Sequence, residues 1–253
     1  MKLTGGEIVV KYLVEQGVPY IIGIPGHGVM GLFDAIRKYE AEGAIKYLQV
    51  KHEQAATSMA DGYYRVSGKP LASFASIGPG TLNTCIGLGT AYTDSTAFLQ
   101  LAGDTHVHMK GVGVLQELER DQDSNIIRVL EPLCKRSWRA EHVDQLAKIM
   151  RRAYGCMMNG RPGPCAITLP MDVQCEFAEV SGAQLSAFQP QATPCACADQ
   201  IDAAVSLIKA AKRPVILAGG GALRAKAGEL IERFAELSGA AIVTTLSGKG
   251  TVR

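Results

Sequence analysis

The run Lys51-His52-Glu53-Gln54-Ala55-Ala56 places a carboxylate in the first turn expected of a helix, straight after the strand-like stretch 45–50. A Glu at that position has two uses. It can complement the positive end of the helix as a capping acid. It can also offer its carboxyl group to a ligand at the edge of a parallel sheet. Three imidazoles occupy comparable positions: His27 in the Pro25-Gly26-His27-Gly28 turn, and His106 and His108 on either side of Val107. Beside a substrate cleft they would serve as acid–base groups near neutral pH. His-x-His without a third ligand nearby does not make a metal site, so none is expected. Gly26-His27-Gly28-Val29-Met30-Gly31 also matches G-x-G-x-x-G, with Glu53 after the next strand, the layout of a dinucleotide-binding oxidoreductase. Pro25 stiffens that turn and Glu53 opens a helix instead of standing at a bare strand tip, which weakens the match.

The elements that must position these residues alternate along the chain. Helices are expected over 4–15, 29–39, 52–66, 81–92 and 144–158, and strands over 20–23, 45–50, 71–77, 98–101 and 165–169. This alternation implies an α/β fold, a doubly wound, mostly parallel sheet with helices on both faces. Ligands then belong in the loops at the strands' carboxyl ends. Three of those loops, 23–28, 78–80 and 103–105, are rich in Gly or polar turn residues. Residues 179–198 dissolve into Ser, Gln, Pro, Ala and Cys and read as a linker. From 199 a second α/β unit begins, with strands at 214–218 and 241–245 around a Gly219-Gly220-Gly221 turn. Two strands in about 55 residues are too few for a parallel core, so the chain is expected to stop inside that domain.

The 253 residues are 47% apolar and 20% charged, with a net charge of +2. Such a balance gives no electrostatic basis for nucleic acid or an anionic membrane as partner. No apolar run reaches the length of a membrane span, and the first residues lack a secretion signal. Seven cysteines with no Cys-x-x-Cys indicate neither a disulfide framework nor a zinc ribbon, and a reducing cytoplasm is the expected setting.

Taken in order, Gly23-Ile24-Pro25-Gly26, His52-Glu53-Gln54-Ala55-Ala56, Ala60-Asp61-Gly62-Tyr63, Ser76-Ile77-Gly78-Pro79-Gly80-Thr81-Leu82-Asn83, Ala91-Tyr92-Thr93-Asp94-Ser95, Leu115-Gln116-Glu117 and Gly160-Arg161-Pro162-Gly163-Pro164 form a recognisable series. With it, the whole chain resembles the thiamine-diphosphate-dependent enzymes of the acetolactate synthase (acetohydroxyacid synthase large subunit) and pyruvate oxidase type. The resemblance implies that residues 1–178 bind the aminopyrimidine end of the cofactor and that 199–253 begin the family's central domain. It makes Glu53 the activating glutamate, holding a proton at N1′ of the pyrimidine; a carboxyl group in a dry pocket suits that task because burial raises its pKa. It places Gly26, Pro79, Gly80 and Asn83 around the pyrimidine. Gln116 corresponds to the Gln of the family's Phe-Gln-Glu, facing the reacting carbon from the neighbouring subunit. Leu115 stands where the family has Phe, so the acceptor pocket should differ in shape.

The same resemblance implies a 2-oxo acid substrate, a homodimer or tetramer, and decarboxylation followed by carboligation. Magnesium and the diphosphate are held in that family by a carboxyl-terminal domain with Gly-Asp-Gly. Here only Gly103-Asp104-Thr105 comes near it, so that domain must lie in the same or another polypeptide, and this chain alone is expected to be inactive. Some members also bind FAD, at positions matching Arg161, Gly219, Gly220 and Gly221. A catalytically silent fragment or subunit that needs a partner chain stands as the alternative.

Overall fold

The computed structural model describes residues 1–118, 125–189 and 195–253. The chain divides into two compact units, Met1–Pro190 and Gln191–Arg253.

The first unit runs β1 (Lys2–Thr4), α1 (Gly5–Glu15), β2 (Tyr20–Gly23), α2 (Met30–Ala41), β3 (Lys46–Gln49), α3 (Glu53–Ser67), β4 (Ala72–Ala75), α4 (Pro79–Leu82), α5 (Cys85–Asp94), β5 (Leu99–Asp104), α6 (Ile126–Leu130), β6 (Arg136–Arg139), α7 (Leu146–Met158), β7 (Cys165–Pro170), α8 (Met171–Cys175), β8 (Phe177–Glu179) and α9 (Gly182–Leu185). Six strands form one parallel sheet in the order β3-β2-β4-β5-β7-β6. The central β4, β5 and β7 are buried throughout, as expected of strands covered on both faces. Phe74, Leu99, Leu101 and Ile167 are fully buried there, each worth about 1.5–3 kcal/mol of transfer free energy. The helices fall into two contacting groups, α1 with α2 and α7, and α3 with α5. Right-handed crossovers put these groups on opposite faces, because the chain winds from β2 to β3 in one direction and from β3 to β4 in the other. The reversal lies between β2 and β4, and such a switch point opens a crevice beyond the strand ends.

Several boundaries depart from expectation. The helix expected over 81–92 is two pieces, α4 and α5, joined through Asn83 and Thr84. β6 was not foreseen, nor was the antiparallel pair of β1 with β8. That pair, with buried Val180 and Leu185, carries the first unit past the expected limit at 178. Val180 and Leu185 bury apolar surface that a linker composition had masked. Residues 190–194 of the expected linker lie outside the described residues.

The second unit holds α10 (Ala198–Ala210), β9 (Val215–Ala218), α11 (Gly220–Arg224), α12 (Gly228–Ser238) and β10 (Ala241–Thr244), with β9 and β10 parallel. The Gly219-Gly220-Gly221 turn is the start of α11, capped by Gly219. Neither α10 nor α12 buries a residue, and Leu207, Leu230 and Leu237 stay exposed. Among the described residues no helix is long and apolar enough to cross a membrane.

Candidate active site

Glu53 opens α3, and the helix is capped by His52, whose Nδ1 accepts the Gln54 N–H at 3.2 Å. The Glu53 carboxylate is therefore not needed as the cap. Its Oε2 accepts a hydrogen bond from Asn83 Nδ2 at 2.9 Å. Asn83 stands at the α4–α5 junction, so the unforeseen break between those helices is what turns this amide toward Glu53. On the other side of the carboxylate is Gly80, where an added Cβ would lie 3.2 Å from Oε1. The missing side chain keeps that oxygen approachable. Glu53 itself is half-buried, so the dry pocket expected from the sequence is open on one side in this chain.

The helices that carry these groups are pressed together. A Cβ on Gly87 of α5 would strike Thr57 Oγ1 of α3 at 2.1 Å. Asp61 of α3 accepts from Arg65 Nε at 2.8 Å and from Thr96 Oγ1, and Arg65 Nη2 reaches Asp94 at 2.8 Å. Glu53 and Asn83 thus ride on two helices that cannot slide apart cheaply.

The loops after β2, β4 and β5 do converge. The Gly28 N–H donates to Ser76 Oγ at 3.3 Å, and a Cβ on Gly26 would meet the same hydroxyl at 2.6 Å. Gly103 abuts the Gly28 carbonyl, where a Cβ would sit at 2.5 Å. Gly78 has φ +57°, a left-handed conformation that suits glycine, and the carbonyl of Gln116 packs against it, 2.1 Å from where a Cβ would stand. Pro79 is the first residue of α4, where its missing N–H is no loss.

The structure thereby gathers Gly26, Glu53, Pro79, Gly80, Asn83 and the backbone of Gln116 around the switch-point crevice. The Gln116 side chain is exposed. The histidines are placed differently. His27 is exposed in the first loop. His106 and His108 face each other with ring centroids 5.5 Å apart, and His108 Nδ1 lies 3.6 Å from Asp172 Oδ2. Among the described residues no cluster of three His, Cys, Asp or Glu converges as a metal site. Arg161 caps the end of α5, donating from Nε to Ser95 Oγ at 2.6 Å and from Nη2 to the Thr93 carbonyl at 2.7 Å. The Gly26–Gly31 fingerprint serves packing: Gly28 rests on Ile77 and Gly31 on Gln174 and Cys175.

Gln174 and Arg139 were not singled out from the sequence, and Asp104 and Glu117 stood there only as members of motifs, without a role of their own. Gln174, 1% exposed, accepts from the Leu32 N–H at 3.0 Å and donates to the carbonyls of Gly28 and Leu169 at 2.8 and 2.7 Å, locking the first loop to β7. Two of its partners, Gly28 and Leu32, lie some 140 residues away along the chain, so no local pattern announces it. Asp104 and Arg139 form a buried ion pair, Nε to Oδ2 2.7 Å. Glu117, 5% exposed, folds back on its own loop; its setting in the Gly-rich stretch 111–113 was the available clue.

Residues 3–124 match the model of the thiamine pyrophosphate enzyme N-terminal TPP binding domain, and residues 201–253 match that of the thiamine pyrophosphate enzyme central domain. The acetolactate synthase large subunit of Buchnera aphidicola subsp. Schizaphis graminum is 32% identical over 98% of this chain and 42% of its own length. The acetolactate synthase isozyme 3 large subunit of Escherichia coli (strain K12) is 30% identical over 98% and 42%, and the acetolactate synthase of Arthrospira platensis 33% over 98% and 42%. The chain therefore spans about two fifths of the length of the relatives it matches. Matched by both the N-terminal and the central domain models, and along nearly its whole length by these relatives, this protein belongs to the thiamine pyrophosphate enzymes and is acetolactate synthase-like.

Proposed function

We propose that the first unit forms the aminopyrimidine half of a thiamine diphosphate site, and that the protein decarboxylates a 2-oxo acid and ligates the remaining fragment to a second one. The observation that carries this is the Glu53 carboxylate, fixed at Oε2 by Asn83 at 2.9 Å and left open at Oε1 by the missing side chain of Gly80. Those residues fit an aminopyrimidine, which needs one acidic partner and a flat, uncrowded approach. Thiamine diphosphate, when bound, supplies the electron sink that decarboxylation of a 2-oxo acid requires. Glu53 holds and returns a proton at N1′ of the ring. Asn83 keeps the carboxylate oriented, and Gly26, Pro79 and Gly80 shape the wall against which the ring lies. Gln116 meets the acceptor, beside Leu115 in a pocket of its own shape.

Magnesium and the diphosphate are assigned to a carboxyl-terminal domain in the same or another polypeptide. A dimer or tetramer with the site at a subunit boundary is supported by exposed Met59, Leu82 and Ile86 on the same helices as Glu53 and next to Asn83. A reducing, cytoplasmic setting is supported by seven free cysteines. FAD stands as a further proposal for the whole protein; in the first unit Arg161 is engaged at the end of α5.

The test is carbon dioxide release from a panel of 2-oxo acids by the full-length protein with thiamine diphosphate and magnesium. Glu53→Gln keeps the shape and the Asn83 neighbour but cannot exchange the proton. It is expected to lower turnover by about a hundredfold or more with an unchanged melting temperature. Wild-type turnover in this variant would remove Glu53 from the mechanism, and release only after addition of a second polypeptide would favour the silent-subunit alternative.

A further inference from the structure

The segment from Thr105 to Leu118 leaves the end of β5 and, among the described residues, holds one short 3-10 turn, Val107–Met109, and no other helix or strand. Its course is set from within. The Glu117 carboxylate accepts three backbone N–H groups of the same loop: Gly111 at 2.6 Å on Oε1, and Gly113 at 2.6 Å and Val114 at 3.0 Å on Oε2. Charge-assisted bonds of this length are about twice as strong as neutral ones, and the side chain that makes them is 5% exposed. Gly111 and Gly113 both have positive φ, 79° and 81°, the conformation in which successive N–H groups can turn to one anion. The next residue back, Gln116, also has positive φ, 63°, which is unusual for a residue with a side chain. Its carbonyl is seated on Gly78, in the turn that leads into Pro79 and Gly80. Glu117 also lines a small cleft with Ile77, Gly78, Gly103 and Asp104, at the carboxyl ends of β4 and β5.

We propose that Glu117 is a positioning residue: by clamping the N–H groups of Gly111, Gly113 and Val114 it holds Leu115 and Gln116 over the Gly78 turn, and so sets how the acceptor 2-oxo acid is met. The proposal rests on the function proposed above. Glu117 touches no reacting atom. Its carboxylate acts only through the loop, so it governs the second, ligating half of the reaction more than the first, which depends on Glu53.

The experiment uses the full-length protein and the variants Glu117→Gln and Glu117→Asp. Gln keeps the volume but turns an N–H₂ toward one of the three donors; Asp keeps the charge on a shorter arm. In Glu117→Gln, deuterium exchange of the peptide spanning 110–118 should quicken while the melting temperature holds. The KM for the acceptor should rise, and the ratio of ligated product to carbon dioxide fall, by about tenfold, the scale expected for a group displaced by a fraction of an ångström. Initial carbon dioxide release should change by less than about twofold, since no transition-state contact of that step is lost. Glu117→Asp should recover part of the product ratio. Unchanged exchange would overturn the proposal, as would faster exchange with an unchanged product ratio. Parallel loss of melting temperature, carbon dioxide release and ligation would reduce Glu117 to a structural role and also overturn it. Wild-type protein that releases no carbon dioxide from any 2-oxo acid would instead sink the functional reading on which the proposal stands, and it is recognised before any variant is made.

Discussion

At the scale of single residues, the site depends on what is missing as much as on what is present. The Glu53 carboxylate is held on one oxygen by Asn83 and approachable on the other because residue 80 has no side chain. Gly80 sits inside α4, where Ala would ordinarily be the better residue by about 1 kcal/mol. Gly80→Ala therefore separates stability from function. The melting temperature should hold or rise slightly, while affinity for thiamine diphosphate with magnesium, measured by calorimetric titration of the full-length protein, should fall about tenfold, equal to roughly 1.4 kcal/mol. Unaltered affinity would show that the ligand does not approach Oε1 from that side. The acid itself was readable as a first-turn Glu after a strand. Asn83 entered only through the family resemblance, and its pairing with Glu53 was not readable, because the amide turns toward the acid only where the chain breaks between α4 and α5, and small residues on both sides of the break give a continuous helical pattern.

At the scale of elements, the covered strands were legible, and of the two bordering ones β3 was and β6 was not. β4, β5 and β7 announce themselves as apolar runs because both faces are buried. β6, Arg-Ser-Trp-Arg, is an edge strand with mixed exposure, and a charged edge is what keeps a sheet from growing further; the same charge hid it from a search for apolar runs. Its last residue has a structural task. Arg139 pairs with Asp104 at the end of β5 across the intervening β7, both side chains being 8% exposed. Removing one partner of such a pair leaves an uncompensated buried charge, so Arg139→Ala should destabilise the first unit by about 3–5 kcal/mol, read from urea unfolding followed by far-ultraviolet circular dichroism. A loss under about 1 kcal/mol would mean that water reaches Asp104 readily. The β1–β8 pair escaped notice for another reason: its two strands are three residues each and 172 residues apart, so neither carries enough pattern to be seen alone.

At the scale of the whole molecule, the two units differ in kind. The first closes a six-stranded sheet under two layers of helices, whereas the second has a two-stranded sheet, and its longer helices bury nothing. Amides in β5 and β7 should consequently exchange with deuterium only through global opening, and those in β9 and β10 through cheaper local events. Mass-spectrometric exchange on this chain should show the second pair labelled long before the first; equal protection would reveal an association that covers the second unit. One detail of the first unit reaches further. The Met1 amine donates to the Val180 carbonyl at 2.8 Å and lies 3.5 Å from Glu179, so the outset of this unit stands beside β8, just ahead of its last helix α9. Topologically it is almost a ring with a single fastening, which makes it rewirable: linking the residues after α9 back to Met1 through a flexible segment and reopening the backbone at the solvent-facing Gly43 turn would reorder the sequence while every strand keeps its neighbours.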